Sequence, residues 1–168
     1  ASAKIGATSA AFGLVDRILL QPLPYPQADQ LVRIHLSAPG VGMPDMAIGP
    51  ADYLVFRGQN RSFSSLGLYA PDAATVTDHG VPERVVSMDV TADLLPTLGV
   101  SPWVGRGFTA ADTAPGAAPV ALLGFNYWQQ HFAGDRGVVG RSVTVDGSAT
   151  TIIGVMPAGF SVLDHTGA

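Results

Sequence analysis

The sequence predicts a mixed α+β fold. Short segments that alternate apolar and polar residues, as half-buried strands do, are interspersed with a few helical segments. The 20 glycines and 13 prolines among 168 residues indicate many turns and short elements. Hydrophobic residues make up 47% of the chain, enough to build a core, and the length suits one domain or two small lobes.

An apolar run at residues 5–20 admits two interpretations. It reads IGATSAAFGLVDRILL and is interrupted by Asp16 and Arg17. A membrane span needs about 20 apolar residues, so composition favours an ordinary amphipathic helix over the outer end of a transmembrane helix. The run also lacks the charged start and cleavage site of a signal peptide. The prolines of residues 21–26, QPLPYP, end any helix because proline has no amide donor.

The rest of the first half predicts two strands around one helix. Residues 31–36, LVRIHL, alternate as a strand does, and residues 37–49 read as a Gly/Pro/Met loop. Pro50 suits the first position of a helix, which the sequence ends at residues 58–60. The remaining predictions are a strand at 62–70, its weak continuation at 75–78, and a turn at His79-Gly80.

The second half predicts further strands, two helices and a hairpin. Thr91 precedes a helix that Gly99 closes, and Gly147-Ser148 reads as a two-residue hairpin connection. The predicted elements are strands at 83–90, 120–123, 143–146 and 150–155, helices at 92–98 and 125–132, a turn at 109–112 and irregular structure at 102–107. A weak domain boundary falls at residues 80–82.

No arrangement of residues predicts a catalytic, cofactor or metal site. The histidines stand alone, without the i+3 or i+4 partner that a zinc site uses: His35, His79, His131 and His165. The sequence contains no nucleophile elbow and no glycine-rich phosphate loop. Its acidic residues are spaced as surface positions: Asp72, Asp78, Glu83, Asp89 and Asp93. We therefore expect no enzyme, although facing carboxylates of a hydrolase are a minor alternative.

Two apolar features could serve either packing or binding. The aromatic residues Phe125, Tyr127, Trp128 and Phe132 have helical spacing, which favours a core-facing helix over a groove. Met43 and Met46 lie in the predicted loop, where packing is favoured over an adaptable binding surface. The nine Lys and Arg are scattered and the net charge is −4, so nucleic-acid binding is not expected.

Several segments together resemble one family. They are AAFGLVDRILLQPLPYP (10–26), ADYLVFRGQNRSFSSLGLY (51–69), the stretch from Pro82 to Asp112, the stretch from Ala118 to Gly147, and TIIGVMPAGF (151–160). In this order they are similar to the MacB-like periplasmic core domain of bacterial ABC-transporter permeases. The subgroup they resemble has duplicated halves and FtsX-like membrane helices.

This resemblance implies a division of the chain. Residues 1–26 would be the end of the first transmembrane helix and its periplasmic exit, which reverses the preference stated above for residues 5–20. Residues 27–81 would form part of a membrane-proximal, porter-like lobe, residues 82–163 an inserted second lobe, and residues 164–168 a truncated tail. The resemblance also implies a fragment, in which unpaired strands of the first lobe favour association.

The resemblance further implies a role in transport. The chain would be a non-catalytic domain at the bacterial cytoplasmic membrane, facing the periplasm, that couples ATP hydrolysis to conformational change or substrate passage. Implied partners are a cytoplasmic ABC ATPase, a second permease copy or half, and a periplasmic adaptor or substrate, with no cofactor. The alternatives are a periplasmic binding or adhesion module outside transport and, with least support, a periplasmic hydrolase.

Overall fold

A computed structural model describes residues 25–34, 36–38, 43–46, 48–78 and 81–162. The run at residues 5–20, the tail at 164–168 and the histidines 35, 79 and 165 lie outside these ranges. The described elements, in chain order, are β1 (Leu36–Ala38), β2 (Met43–Met46), α1 (Pro50–Gln59), β3 (Tyr69–Asp78), β4 (Val81–Val90), α2 (Leu94–Leu98), β5 (Val104–Gly105), β6 (Val120–Leu123), α3 (Phe125–Phe132), β7 (Ser142–Val145) and β8 (Ser148–Val155). The predicted α+β class is confirmed.

Six strands form one mixed sheet, in which β4, β3, β7 and β8 are successive antiparallel neighbours. β6 runs parallel to β8, and β5 pairs with the end of β8. β1 and β2 form a separate antiparallel pair. Among the described residues, no helix is long and apolar enough to cross a bilayer.

The first core lies between the sheet and α3. Trp128 is buried, and Val138, Ile152 and Val155 are fully enclosed. The indole N–H of Trp128 donates to the carbonyl oxygen of Asp135 at 2.8 Å, so its polar group is satisfied as well. Phe125 and Phe132 pack against the same cluster. The prediction that the aromatic helix faces the core is therefore confirmed.

The hairpin between β7 and β8 turns one residue earlier than the sequence predicted. Asp146 and Gly147 both have positive φ, 47° and 80°, as the tight two-residue hairpin turn with left-handed central residues requires. Asp146 is held in this conformation by Thr75, whose backbone N–H donates to the aspartate Oδ1 at 2.8 Å. Ser148, assigned to the turn from sequence, is instead the first residue of β8.

The second core is smaller and lies around α2. Its buried residues are Tyr25, Leu94 and Leu98. Gly99 ends α2 in the left-handed region at φ 67° and donates its N–H to the helix carbonyls, as predicted. The segment before β3 approaches α2 so closely that a Cβ on Gly67 would lie 2.6 Å from the Cα of Leu94. Glycine at position 67 is thus a packing requirement of this core.

The β3–β4 hairpin contributes to both cores. Its two strands pair with each other without interruption, from Tyr69 opposite Val90 to Asp78 opposite Val81. Side chains alternate along a strand and paired residues share a face, so Val76 and Tyr69 point to opposite faces. Val76 belongs to the first core, whereas Tyr69 packs against the second. The two cores therefore lie against opposite faces of one hairpin, at its two ends.

The predicted boundary at residues 80–82 falls at the start of β4. Residues on both of its sides belong to one sheet, since β3 pairs with β4 and with β7. Strand pairing thus continues across the predicted boundary, and the division into lobes 27–81 and 82–163 stays a prediction.

Several predicted elements in the first half are wrong. Residues 31–34 are not in a strand, and the predicted loop at 37–49 contains β1 and β2, so Met43 and Met46 lie in a strand. The strand predicted at 62–70 begins only at Tyr69, because the side chain of Asn60 binds the backbone of Ser62 and Phe63 in a turn. The predicted continuation at 75–78 is the end of that same strand.

The second half agrees better with prediction. The bounds of β6 and α3 are those predicted, while β4 begins two residues earlier and α2 is shorter than expected. The stretch at 102–107, predicted as irregular, contains the two-residue strand β5. It is held to β8 by the N–H of Trp103, which donates to the carbonyl of Val155 at 2.8 Å. The turn predicted at 109–112 is a 3-10 turn, Ala110–Thr113.

Candidate functional site

A groove of about 510 Å³ lies beside the second core. Its walls are residues 31–34, α1, residues 62–71 and α2, and the last described residue, Val162, also lines it. Pockets that bind ligands commonly have volumes of about 300–1,000 Å³. Most of the large side chains in its walls are apolar.

Large apolar side chains in these walls are exposed to solvent. The exposed fractions are 65% for Val32, 39% for Ile34, and 42% for both Phe56 and Phe63. A contiguous exposed apolar surface is uncommon on soluble proteins and marks a contact with another molecule or segment. The groove therefore has the character of an interaction surface.

The helix α1 forms one wall with few anchoring contacts. Tyr53 is its one buried residue, and the tyrosine hydroxyl donates to the carbonyl of Leu66 at 3.1 Å. Leu54 and Val55 are exposed on the same helix. An amphipathic helix buries its apolar side chains along one stripe. The described residues do not bury such a stripe of α1.

The groove also contains a buried polar group without a partner. The hydroxyl of Tyr69 is buried, and no described residue accepts or donates a hydrogen bond to it. The guanidinium of Arg33 lies 5.8 Å from the centre of the tyrosine ring. Burial raises the pKa of Tyr69, and the charge of Arg33 opposes that rise. A buried hydroxyl without a partner costs about 1–3 kcal/mol, so a group that bonded it would stabilise this wall.

A second concave region lies beside α3, where charged groups have partners. His131 Nε2 lies 3.4 Å from Glu83 Oε2, and the imidazole stacks on the ring of Tyr127 at 4.0 Å between centres. Arg141, on the same surface, lies 2.5 Å from the carboxylate of Asp135. These pairs tie α3 and the residue before β7 to neighbouring segments.

A third cluster fixes the loop after β5. Arg106 donates two hydrogen bonds to the carboxylate of Asp112, at 2.7 and 2.8 Å, and Thr109 donates to it from both its backbone N–H and its hydroxyl at 2.7 Å. The Arg106 guanidinium, and then Thr109, hold the pKa of the Asp112 carboxyl well below its usual range. The carboxylate accepts four hydrogen bonds from within the loop, so the cluster is a structural clamp.

Of the described residues considered for chemistry from sequence, the structure brings His131 on α3 into contact with Glu83 on β4 and gathers no larger group. His131 lies on α3, Asp72 and Asp89 lie on the long hairpin, and Asp93 pairs with Arg57 at 3.0 Å. Within the described ranges, no group of three or more His, Asp or Glu side chains could hold a metal ion. The groove was not predicted. Its one sequence signal is the run Leu54-Val55-Phe56, three successive apolar residues that cannot all face one core from a helix.

Comparison with known proteins connects this architecture to transporters. The family model for the MacB-like periplasmic core domain matches residues 5–167. The extracellular domain of YknZ, a noncanonic ABC-type transporter from Gram-positive bacteria, is 17% identical with a TM-score of 0.57, over 68% of this chain and 60% of that domain. The periplasmic region of MacB from Actinobacillus actinomycetemcomitans is 13% identical with a TM-score of 0.55, over 73% of this chain and 56% of that region.

The chain therefore spans 56–60% of the length of these two domains. No curated protein matches the sequence. At these identities the structural likeness establishes the fold, and the family model, which matches nearly the whole sequence, establishes membership. The chain belongs to the family of MacB-like periplasmic core domains.

Proposed function

We propose that this chain is an extracytoplasmic part of an ABC-transporter permease, held at the bacterial cytoplasmic membrane and facing the periplasm. The match of residues 5–167 to the periplasmic core domain family carries this proposal. The apolar run at residues 5–20, directly before the described domain, supports it, since the outer end of a membrane helix would stand there.

The proposed role is mechanical. ATP hydrolysis by a cytoplasmic ABC ATPase would shift the membrane part, and this domain would pass the movement to a second permease copy or half, a periplasmic adaptor or a substrate. The shared β3–β4 hairpin supports this role, because a rotation of the second core would turn a strand pair that also packs in the first core. Packed cores shift between discrete arrangements and so can transmit such a rotation.

The domain itself would carry out no reaction. Catalytic groups are commonly recognised by perturbed pKa values in a cleft. Among the described residues, the lowered pKa of Asp112 belongs to a clamp with Arg106 in a surface loop. The raised pKa of Tyr69 arises first from burial in an apolar wall, which is a packing effect.

Cysteine labelling tests the proposed location. The sequence has no cysteine, and Val86 on β4 is 93% exposed, so Val86→Cys introduces one accessible thiol with little disturbance. In cells with a permeabilised outer membrane, a membrane-impermeant maleimide should label this thiol in the complete protein. Labelling only after the cytoplasmic membrane is opened would contradict the proposal. Val155→Cys, at a fully buried position, is the control that should stay unlabelled while the protein is folded.

A further inference from the structure

We propose that an exposed surface beside the first core, centred on Trp103 and Arg136, is a docking site for an acidic segment of a separate periplasmic protein. The segment presents a carboxylate to Arg136 and an apolar side chain that covers Trp103. The inference rests on the proposed function, which places the partner in the periplasm.

The first argument is the exposure of Trp103. Of the two tryptophans, Trp128 is 4% exposed and lies in the first core, whereas Trp103 is 60% exposed. Val139, three residues after Arg136, is also exposed, at 37%. Tryptophan and arginine are the side chains most enriched among the residues that dominate the binding energy of protein interfaces. An exposed tryptophan beside an arginine therefore has the composition of such a contact.

The segments that carry Trp103 and Arg136 lie next to each other along one edge of β8. Thr151 pairs with both β6 and β7, and Val155 pairs with both β6 and β5. Because a strand has two edges, β7 and β5 share the edge opposite β6. The 3-10 turn Arg136–Val138, which precedes β7, thus comes beside Trp103, and the Arg136 guanidinium lies 5.8 Å from the centre of the tryptophan ring.

Both side chains are presented by a fixed backbone. The N–H of Trp103 donates to the carbonyl of Val155 at 2.8 Å, and the next residue, Val104, packs against the first core. The turn that carries Arg136 is anchored by Val138, which is fully buried. A surface that is already ordered loses little conformational entropy when a partner binds.

The charges around Trp103 favour an acidic partner. Arg106 and Arg141 are already paired, with Asp112 and Asp135. Within the described ranges, Arg136 forms no ion pair, so its positive charge is left over on this surface, although the whole chain has a net charge of −4. A guanidinium binds a carboxylate through two parallel hydrogen bonds, and complementary charge selects and orients a protein partner.

A polypeptide fits this surface better than an anionic polymer or membrane. Nucleic acids and anionic membranes bind through several cations at once, whereas this surface offers one unpaired arginine. One carboxylate satisfies that arginine, and a neighbouring apolar side chain can cover the indole. A short acidic segment of a protein supplies both groups.

Photocrosslinking in cells identifies the occupant. In the complete permease, a benzophenone amino acid in place of Val139 leaves Trp103 and Arg136 intact and puts the reactive group in the same segment as Arg136. We expect a crosslink to a separate periplasmic protein, at a peptide that contains Asp or Glu. A crosslink to lipid, to a second permease copy or to a peptide without an acidic residue would refute the proposal, as would the absence of any crosslink.

Matched variants of the complete permease then test the two central side chains. With the crosslinked protein purified, Trp103→Ala and Arg136→Glu should each raise the Kd at least about tenfold. Both side chains are exposed, so we expect these variants to remain folded, which circular dichroism checks. Arg84→Glu makes the same change of charge at an exposed arginine of β4 and should leave the Kd nearly unchanged. Equal effects of the two arginine variants, or none from Trp103→Ala, would overturn the proposal.

Charge exchange provides a second readout. Replacing the acidic residue of the crosslinked segment by Arg should restore most of the affinity that Arg136→Glu removes, because the two charges are exchanged within one pair. Without such restoration, the proposed ion pair is refuted. These affinities are measured with purified proteins and do not depend on which side of the membrane is labelled through Val86→Cys. Failure of the location and failure of the docking are therefore distinguishable.

Discussion

The two cores of this molecule differ in how completely the described chain covers them. Around the first core, β6, β7, β8 and α3 enclose three side chains to 0% exposure, those of Val138, Ile152 and Val155. Around the second core, three buried side chains are bordered by a groove whose apolar walls face solvent. Since both cores share the β3–β4 hairpin, the difference arises from the segments that flank it. The comparison teaches that the described residues enclose the first core fully and the second core only in part.

The largest expected effect lies in the first core, at Trp128. Trp128→Ala should lower the free energy of unfolding by about 3–5 kcal/mol, because it removes a buried aromatic ring and leaves a cavity, and also removes the donor to Asp135. Urea denaturation followed by circular dichroism measures this loss.

Trp103→Ala is the matched control, because Trp103 is 60% exposed. It should change the free energy of unfolding by no more than about 0.5 kcal/mol. If Trp128→Ala kept its stability but lost binding to a partner, the aromatic face of α3 would be a binding surface and not core.

Glycine substitutions should have opposite signs in the two regions. A Cβ on Gly105 would lie 2.3 Å from the carbonyl oxygen of Ile153, at φ 80°, so Gly105→Ala should destabilise the first region by about 1–3 kcal/mol. A Cβ on Gly58, in α1, meets nothing within 4 Å. Gly58→Ala should therefore stabilise α1 by up to about 1 kcal/mol through higher helix propensity.

Thermal denaturation of both glycine variants measures these changes. Equal destabilisation by Gly58→Ala and Gly105→Ala would show that α1 is as closely packed as the β5–β8 pair, against the described difference between the regions.

The loop clamp predicts a dependence on pH. The native pKa of Asp112 is lowered by Arg106 first and Thr109 second. A carboxyl group with a lowered native pKa adds stability above its unfolded pKa of about 3.9, and the contribution is lost as pH falls toward the native value. The difference in unfolding free energy between the wild type and Asp112→Asn should thus be present at pH 7 and shrink steadily below about pH 4.

Arg106→Lys is the informative companion, since lysine keeps the charge but cannot make the bidentate contact. Its stability should fall between those of the wild type and Asp112→Asn at pH 7. A difference between wild type and Asp112→Asn that stays constant from pH 7 to pH 3 would contradict the clamp.

The smallest effect is expected where α3 meets β4. The Glu83 and His131 side chains are 50% and 32% exposed, and their atoms are 3.4 Å apart. Exposed ion pairs contribute at most about 1 kcal/mol, so Glu83→Gln should change the free energy of unfolding by less than that at pH 7. A loss above about 2 kcal/mol in urea denaturation would mean that this contact fixes the edge of the sheet.

Sequence reasoning succeeded where neighbouring segments pack on one another. The aromatic spacing at Phe125, Trp128 and Phe132 predicted a core-facing helix because the sheet it covers is formed by the strands on either side of it. The family resemblance was likewise confirmed by the match over residues 5–167.

Sequence reasoning failed where structure depends on partners far along the chain. Residues 31–34 have a strand pattern but no strand partner among the described residues. The path of residues 62–68 is set by the turn at Asn60 and by the close contact of Gly67 with Leu94. No local pattern reports either constraint. The groove was missed for the same reason, because the local sequence does not report whether a distant segment covers Val32 and Phe63.

Native-state hydrogen exchange of the 168-residue chain tests the difference between the two cores most directly. Amides of β8, around Ile152, should exchange only through global unfolding, with an opening free energy equal to that measured by urea. Amides of α1, around Phe56, should exchange through local openings of much lower free energy, because Tyr53 is the one buried side chain of that helix. Equal protection of β8 and α1 would contradict the account and show that both regions are equally well packed.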